Sequence, residues 1–349
     1  MGEDHLDPAR DGTEMADNAR WYVCSLGEVS AFEACPVRSA RAIFMGVTSN
    51  TQQAPLGPVG FIGAGKVGTA LAALLHERGV PIGGVSGRTL ADGRRMALAA
   101  RLDPSAAGER ADTLARSNIV FLTVPDDVIG PLCMQIAEEG GWRAGMGVVH
   151  CSGVLSSDVL EPARKMGAQV ASFHPLQAFA SLEAALRNLP GSVFALEGDA
   201  ALVEQLDRLV GVLGGAALRV ASHQKALYHA AAAIASNYTV TLTGLAAQLM
   251  VSEGIAPDIN TALRYMLPLL KGTVENLAAL GLPEALTGPL ARGDVGTVAR
   301  HVQALDRSAP ELAHLYRHLG RLTLPLAIRK GGLGEAVVRE LQELLKDTA

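Results

Sequence analysis

The sequence predicts an α/β fold: a doubly wound sheet followed by an all-helical C-terminal region. Three observations carry this reading. An apolar run, Val59 to Ile62, ends in the spaced glycines Gly63, Gly65 and Gly68, and helical periodicity follows at once at Thr69, Ala70, Leu71, Leu74 and Leu75. Short apolar runs then alternate with helical patterns as far as Val220, the order of a largely parallel sheet. From Ser222 onward the strand signal vanishes.

The chain has 349 residues, enough for two domains. Its net charge is −5, and no basic patch calls for a nucleic-acid partner. Cys24, Cys35, Cys133 and Cys151 are scattered, with no paired spacing of zinc type. A reducing cytoplasm and no metal are expected. Residues 1–55 mix charges with turn formers such as Asp7, Pro8, Asp11 and Gly12, and hold no apolar signal core. They are expected to be a poorly ordered extension, with Met45 as an alternative start. Residues 56–221 and 222–349 are the two expected domains.

The glycine turn comes first. Gly63 permits the turn, Gly65 lets the backbone approach a pyrophosphate, and Gly68 lets helix and strand pack closely. Ala64, Lys66 and Val67 complete it. Such a turn between strand and helix is the signature of a Rossmann-like dinucleotide site, with phosphate on the helix N-terminus. The helix is expected to run to about Arg78 and stop at Gly79. A second strand, Pro81 to Ser86, closes in Ser86-Gly87-Arg88-Thr89, and a helix follows over about 91–100. Ile119 to Val124 is continuously apolar, as in a strand buried on both faces. Pro125-Asp126-Asp127 then turns the chain with helix-capping side chains. Further strands are expected over 147–150, 169–173, 192–196 and 216–220.

Helices are expected over roughly 222–251, 258–280, 295–307, 309–329 and 335–347. Ala226 to Met250 carries no Asp, Glu, Lys or Arg, and ~20 apolar residues can span a bilayer. His229, Ser236, Asn237 and Gln248 interrupt it, and no second span exists. A long helix buried in the helical domain and against a second subunit is the better account, so a homodimer is expected.

The acid that binds an NAD ribose ordinarily lies ~20 residues beyond the glycines. Here that place holds Ser86, Gly87 and Arg88, and no carboxylate appears before Asp92. A hydroxyl followed by a guanidinium suits a 2′-phosphate, so NADP is preferred over NAD. For Arg88 alone, a solvated surface arginine is an equal account.

Ligands in open α/β sheets lie beyond the carboxyl ends of the strands. Three loops qualify: Val124-Pro125-Asp126, Cys151-Ser152-Gly153 and His174-Pro175-Leu176. The first two should line the nicotinamide side. His174 is a candidate acid or base; a histidine that merely holds its loop is an equal alternative. On the first C-terminal helix, His229 lies about 40° round from Lys225 at ~100° per residue, and Ser236 returns to the same face. The polar line Lys225, His229 and Ser236 faces either a substrate or ordinary core partners. Arg292 has two uses open to it, a substrate carboxylate or an ion pair with Asp294.

These residues resemble a family of two-domain reductases with a Rossmann-like half and a C-terminal helical domain of unassigned function. The resemblance rests on GFIGAGKVG at 60–68, TVPDD at 123–127, HCSG at 150–153, SFHPLQAF at 172–179, KALYHAAAAIASNY at 225–238 and TGPLARGD at 287–294. It covers about residues 58–349 and implies fold and cofactor class more than substrate. Ketopantoate reductases and hydroxyacid dehydrogenases place a catalytic Lys-x-x-x-Asn on the first helix of the second domain, a helical domain like that of 6-phosphogluconate dehydrogenase. Here the lysine is Lys225, and His229 stands at the asparagine's place. Prephenate dehydrogenases carry a His-Pro motif with a serine some way before it, to which His174-Pro175 and Ser152 are similar. The resemblance implies an NADP-dependent oxidoreductase of a small carboxylate, such as the 2-keto acid ketopantoate, with Lys225 favoured over His174 as proton donor. Imine reduction of the pyrroline-carboxylate type and a non-catalytic NADP-binding regulator are the alternatives.

Overall fold

The computed structural model describes residues 56–347; the expected N-terminal extension, 1–55, lies outside them. Seven strands form one sheet in the order β2-β1-β3-β4-β5-β6-β7. They are β1 (Val59–Ile62), β2 (Ile82–Ser86), β3 (Ile119–Leu122), β4 (Gly147–His150), β5 (Gln169–Pro175), β6 (Val193–Gly198) and β7 (Ala216–Arg219). Helices α1 (Lys66–Glu77), α2 (Leu90–Ala99), α3 (Arg110–Arg116), α4 (Asp126–Glu138), α5 (Glu161–Lys165), α6 (Leu182–Asn188) and α7 (Ala200–Val212) lie between them. Every pairing is parallel except β5 with β6. The antiparallel step departs from a fully parallel sheet, because apolar runs mark strands and carry no direction.

A row of phenylalanines crosses one face of the sheet. Phe61 stacks on Phe121 at 5.3 Å between ring centres, Phe121 meets Phe173 edge-on at 5.4 Å, and Phe173 meets Phe194 at 4.9 Å. All four are buried, and each such pair adds about 0.5–1.5 kcal/mol beyond area burial. On the other face Val120, Leu122, Val148 and Val170 pack against Ile129, Ile136 and Trp142. With both faces covered, the strand ends are held at fixed positions.

The helical region comprises α8 (Lys225–Ala235), α9 (Asn237–Ser252), α10 (Ile259–Leu280), α11 (Pro289–Arg292), α12 (Val295–Ser308), α13 (Pro310–Lys330) and α14 (Glu335–Leu344). The single long helix expected over 222–251 is two helices, broken where Ser236 leaves helical geometry at φ −108° and ψ −66°. The expected burial also fails within one chain. Ala247 is the buried residue of α9 and Ala262 that of α10, while Leu227, Val240 and Leu269 are 76%, 73% and 72% exposed. The turn-rich stretch 287–294 contains α11, and Asp294 caps α12 through the Thr297 N–H at 3.0 Å rather than pairing with Arg292. Among the described residues, no helix is long and apolar enough to cross a membrane.

Candidate functional site

The glycine turn sits where the sheet order reverses, between β1 and β3. Gly63 has φ +118°, and a Cβ there would lie 2.5 Å from the Thr123 carbonyl oxygen. A Cβ on Gly68 would lie 2.2 Å from Thr123 Oγ1, which itself donates to the Gly63 carbonyl at 2.7 Å. Those two glycines answer to the protein's own packing. Gly65 does not, since a Cβ there would meet nothing nearer than 3.6 Å. Its bareness leaves room for a ligand's closest approach. The first turn of α1 holds no acid, and its N-cap, Gly65, supplies no side-chain hydrogen bond. The N–H groups there are open to an anion.

A cavity of about 390 Å³ opens in front of this turn. It gathers Gly65, Lys66, Val67, Val124, Pro125 and Ser152 of the expected residues, with Thr123, Asp126, Cys151 and Phe179. Lys66 Nζ donates to the Ala180 carbonyl at 2.8 Å. At the end of β2, Ser86 is 1% exposed and its hydroxyl has no hydrogen-bond partner. Arg88 is exposed beyond Gly87. Asp92 accepts from the backbone N–H and hydroxyl of Thr89 and pairs with Arg95. The Thr89 hydroxyl holds its carboxyl below the usual carboxylate range. The nearest acid is therefore already engaged.

The far side of the cleft is built from β4, β5 and α8. Strand β5 extends to Pro175, so His174 lies in the strand rather than after it. Its Nδ1 is 2.8 Å from the Tyr228 hydroxyl, and its ring meets His229 edge-on at 5.7 Å. Gly153 lies beneath both rings, where a Cβ would come within 2.4 Å of His229 and 2.9 Å of His174. Ser152 Oγ donates to Asp126 at 2.7 Å and accepts from the Val154 and Leu155 N–H groups. Burial, then the Lys225 charge, lowers His174 to about 4. It is neutral at pH 7 instead of titrating in the ordinary histidine range near pH ~6.5. His150 is likewise pushed to about 4, mainly by burial. Its Nδ1 accepts from the Ser152 N–H at 3.1 Å and its Nε2 faces the Ser156 carbonyl at 3.1 Å, which fixes the neutral tautomer with the proton on Nε2.

Lys225 reaches this region from behind. It is 1% exposed, and its ammonium donates to the Ser152 carbonyl at 2.9 Å and to the Ser172 hydroxyl. Burial lowers it to about 8, opposed first by Glu197. Ser236, at the helix break, is exposed and does not extend the expected polar line. Sequence reasoning named Asp126 only within its loop, and did not name Tyr228, His150, Ser172 or Glu197 as site residues. Glu197 had a signal, a lone acid closing the apolar run Val193 to Leu196. Among the described residues there is no cluster of metal-ligating side chains.

Comparison with known proteins fits this geometry. A Rossmann-like domain model matches residues 45–175, and a domain of unknown function, DUF2520, matches residues 192–323. The chain is a two-domain protein of the Rossmann-like type with a C-terminal domain of unknown function. A protein from Thermotoga maritima is 27% identical, with 78% of this chain and 99% of that one covered and a TM-score of 0.62. A provisionally assigned NADP oxidoreductase from Bacteroides fragilis is 24% identical over 77% and 98% of the two chains, at TM-score 0.58. An imine reductase from Myxococcus stipitatus, solved with NADP+, is 20% identical over 83% and 100%, at TM-score 0.51. The last two share the fold. A search of curated proteins finds no match.

Proposed function

We propose that the chain is an NADP-dependent oxidoreductase that transfers hydride to or from a small carboxylate substrate, with a 2-keto acid such as ketopantoate as the leading candidate. The observation that carries this reading is one cavity lined by a glycine-rich helix N-terminus and by Asp126 and Ser152, with His174 against the adjoining Gly153 and hydrogen-bonded to Tyr228. In this reading residues 56–221 bind the cofactor, and 222–349 close the substrate side and build a homodimer.

The Gly63 to Gly68 turn would hold the pyrophosphate, with Lys66 beside it. Ser86, Gly87 and Arg88 would take the adenosine end. An exposed guanidinium, an unpartnered buried hydroxyl and an acid already engaged by Thr89 and Arg95 all favour the 2′-phosphate. The structural relatives that bind or are assigned to NADP agree with this. Val124, Pro125 and Ser152 would border the nicotinamide, which when bound supplies or accepts the hydride. His174, oriented by Tyr228 and flanked by His229, would take the substrate's proton in oxidation and return it in reduction. Its imidazole is unprotonated at neutral pH, as a base must be.

One observation favours imine reduction as a second reading. Asp126 puts a carboxylate at the nicotinamide side of the cavity, and an anion there suits a protonated C=N bond. NADPH oxidation against a panel of 2-keto acids and cyclic imines tests both. Turnover of a keto acid supports the first reading, and turnover of imines alone replaces it with the second. Tight NADPH binding with no turnover anywhere on the panel favours a regulator.

A further inference from the structure

The most unusual side chain near the cleft is Lys225, an amine buried at 1% exposure where the two halves of the chain meet. The Ser152 carbonyl and the Ser172 hydroxyl accept from it. His150 on β4, Cys151, Asp126 on α4, His174 on β5 and Glu197 on β6 are the titratable groups that feel its charge. Glu197 is itself held in place, accepting from the Ser157 N–H at 2.7 Å, the Ser157 hydroxyl at 2.8 Å and the Ser222 hydroxyl at 2.7 Å. Ser222 opens the helical region. One buried network thus ties β4, β5, β6 and the first turn of the helical region together.

We propose that Lys225 is a positioning residue: its ammonium clamps the Ser152 carbonyl and the Ser172 hydroxyl, and so fixes the Gly153 turn beneath His174 and His229. This assignment rests on the cleft being the reaction site. It places the lysine behind the loop, where it acts on substrate through that loop rather than by giving up its own proton. A buried ammonium disfavours further positive charge nearby, so it also holds His174 neutral against Tyr228.

Two variants separate positioning from proton donation. Lys225→Arg keeps the charge and the donors, but a guanidinium does not release a proton in a protein. Lys225→Met removes charge and donors at similar length. The positioning role predicts that Lys225→Arg keeps turnover within about tenfold of the parent, while Lys225→Met loses on the order of 10² or more, in the range of a lost site group. Histidine NMR, which needs no substrate, should show the His174 midpoint rising in Lys225→Met and staying low in Lys225→Arg. If the arginine does not fit, Ser172→Ala serves. It leaves the ammonium in place and removes one anchor, so turnover should fall about fivefold, the worth of one hydrogen bond.

Lys225→Arg as inactive as Lys225→Met, with Ser172→Ala at parental turnover, would make the lysine a donor and overturn the proposal. A His174 midpoint equal in parent and Lys225→Met would overturn it as well. NADPH affinity is read in parallel. If the parent itself fails to bind NADPH, the functional reading fails, while the histidine titration still judges the clamp.

Discussion

The two halves of the molecule treat their apolar surface in opposite ways. The sheet half closes its own: Phe61, Phe121, Phe173 and Phe194 are covered on one face, and Val120, Leu122, Val148 and Val170 on the other. The helical half leaves much of its surface open. Helices α9 and α10 bury Ala247 and Ala262 and present Val240, Tyr265 and Leu269 to solvent. Its own closed cores are small, around Val298, Leu324, Leu341 and Leu345 at one end and Ala247, Ala256 and Ala262 at the other. The open face of α9 and α10, with Val240, Tyr265 and Leu269, is where the proposed homodimer would form.

Substitutions should therefore fail in different ways on the two sides. The largest effect belongs to the cleft. His174→Ala should lower turnover by about 10²–10⁴. The oxidation rate of the parent should be level near pH 7 and fall with acid as His174 takes up its proton at about 4. A rate that instead falls from pH 7 to 6 would put the base elsewhere.

In the sheet half the damage should appear as stability. Phe121→Ala removes the centre of the aromatic row and should cost about 3–5 kcal/mol in denaturant unfolding. A loss below 1 kcal/mol would show that the row is not the core of the sheet. His150 sharpens the point through pH. Its folded value lies near 4, below the ordinary histidine value of about 6.5, so the unfolded chain binds more protons between those pH values. The stability it contributes is present above pH 6.5 and lost on acidification towards 4, on the order of 3 kcal/mol. His150→Gln should flatten that part of the stability profile. An unchanged acid limb would assign the loss to other groups.

In the helical half the damage should appear as assembly. Leu269→Asp places a charge on the exposed face of α10 and should weaken the dimer with little change in unfolding free energy. Light scattering at micromolar concentration reads it directly. A parent protein that is already monomeric removes the basis for this comparison.

The sheet half was also the more legible in sequence, for a physical reason. Its signals are local: a glycine turn between strand and helix, apolar runs of strand length, a helix stop at Gly79. Strand direction is not local, so the reversal at β6 left no mark. The break at Ser236 was invisible because neither Gly nor Pro stands there. The clamp on Lys225 joins residues 53 positions apart, and that of Glu197 on Ser157 joins residues 40 apart. No spacing rule reaches so far. The sequence did bring His174, Ser152 and Lys225 forward as candidates, because each stands at a strand end or at the first turn of a helix.

The smallest expected effect bears on the central claim, that the cleft is an NADP site. Fluorescence titration with NADPH and NADH measures it most directly. The parent should bind NADPH about tenfold or more tightly than NADH, since charged hydrogen bonds are worth about 1.5–3 kcal/mol, and Arg88→Ala should narrow that gap. Equal affinity for the two in the parent, or no binding of either, would contradict the account.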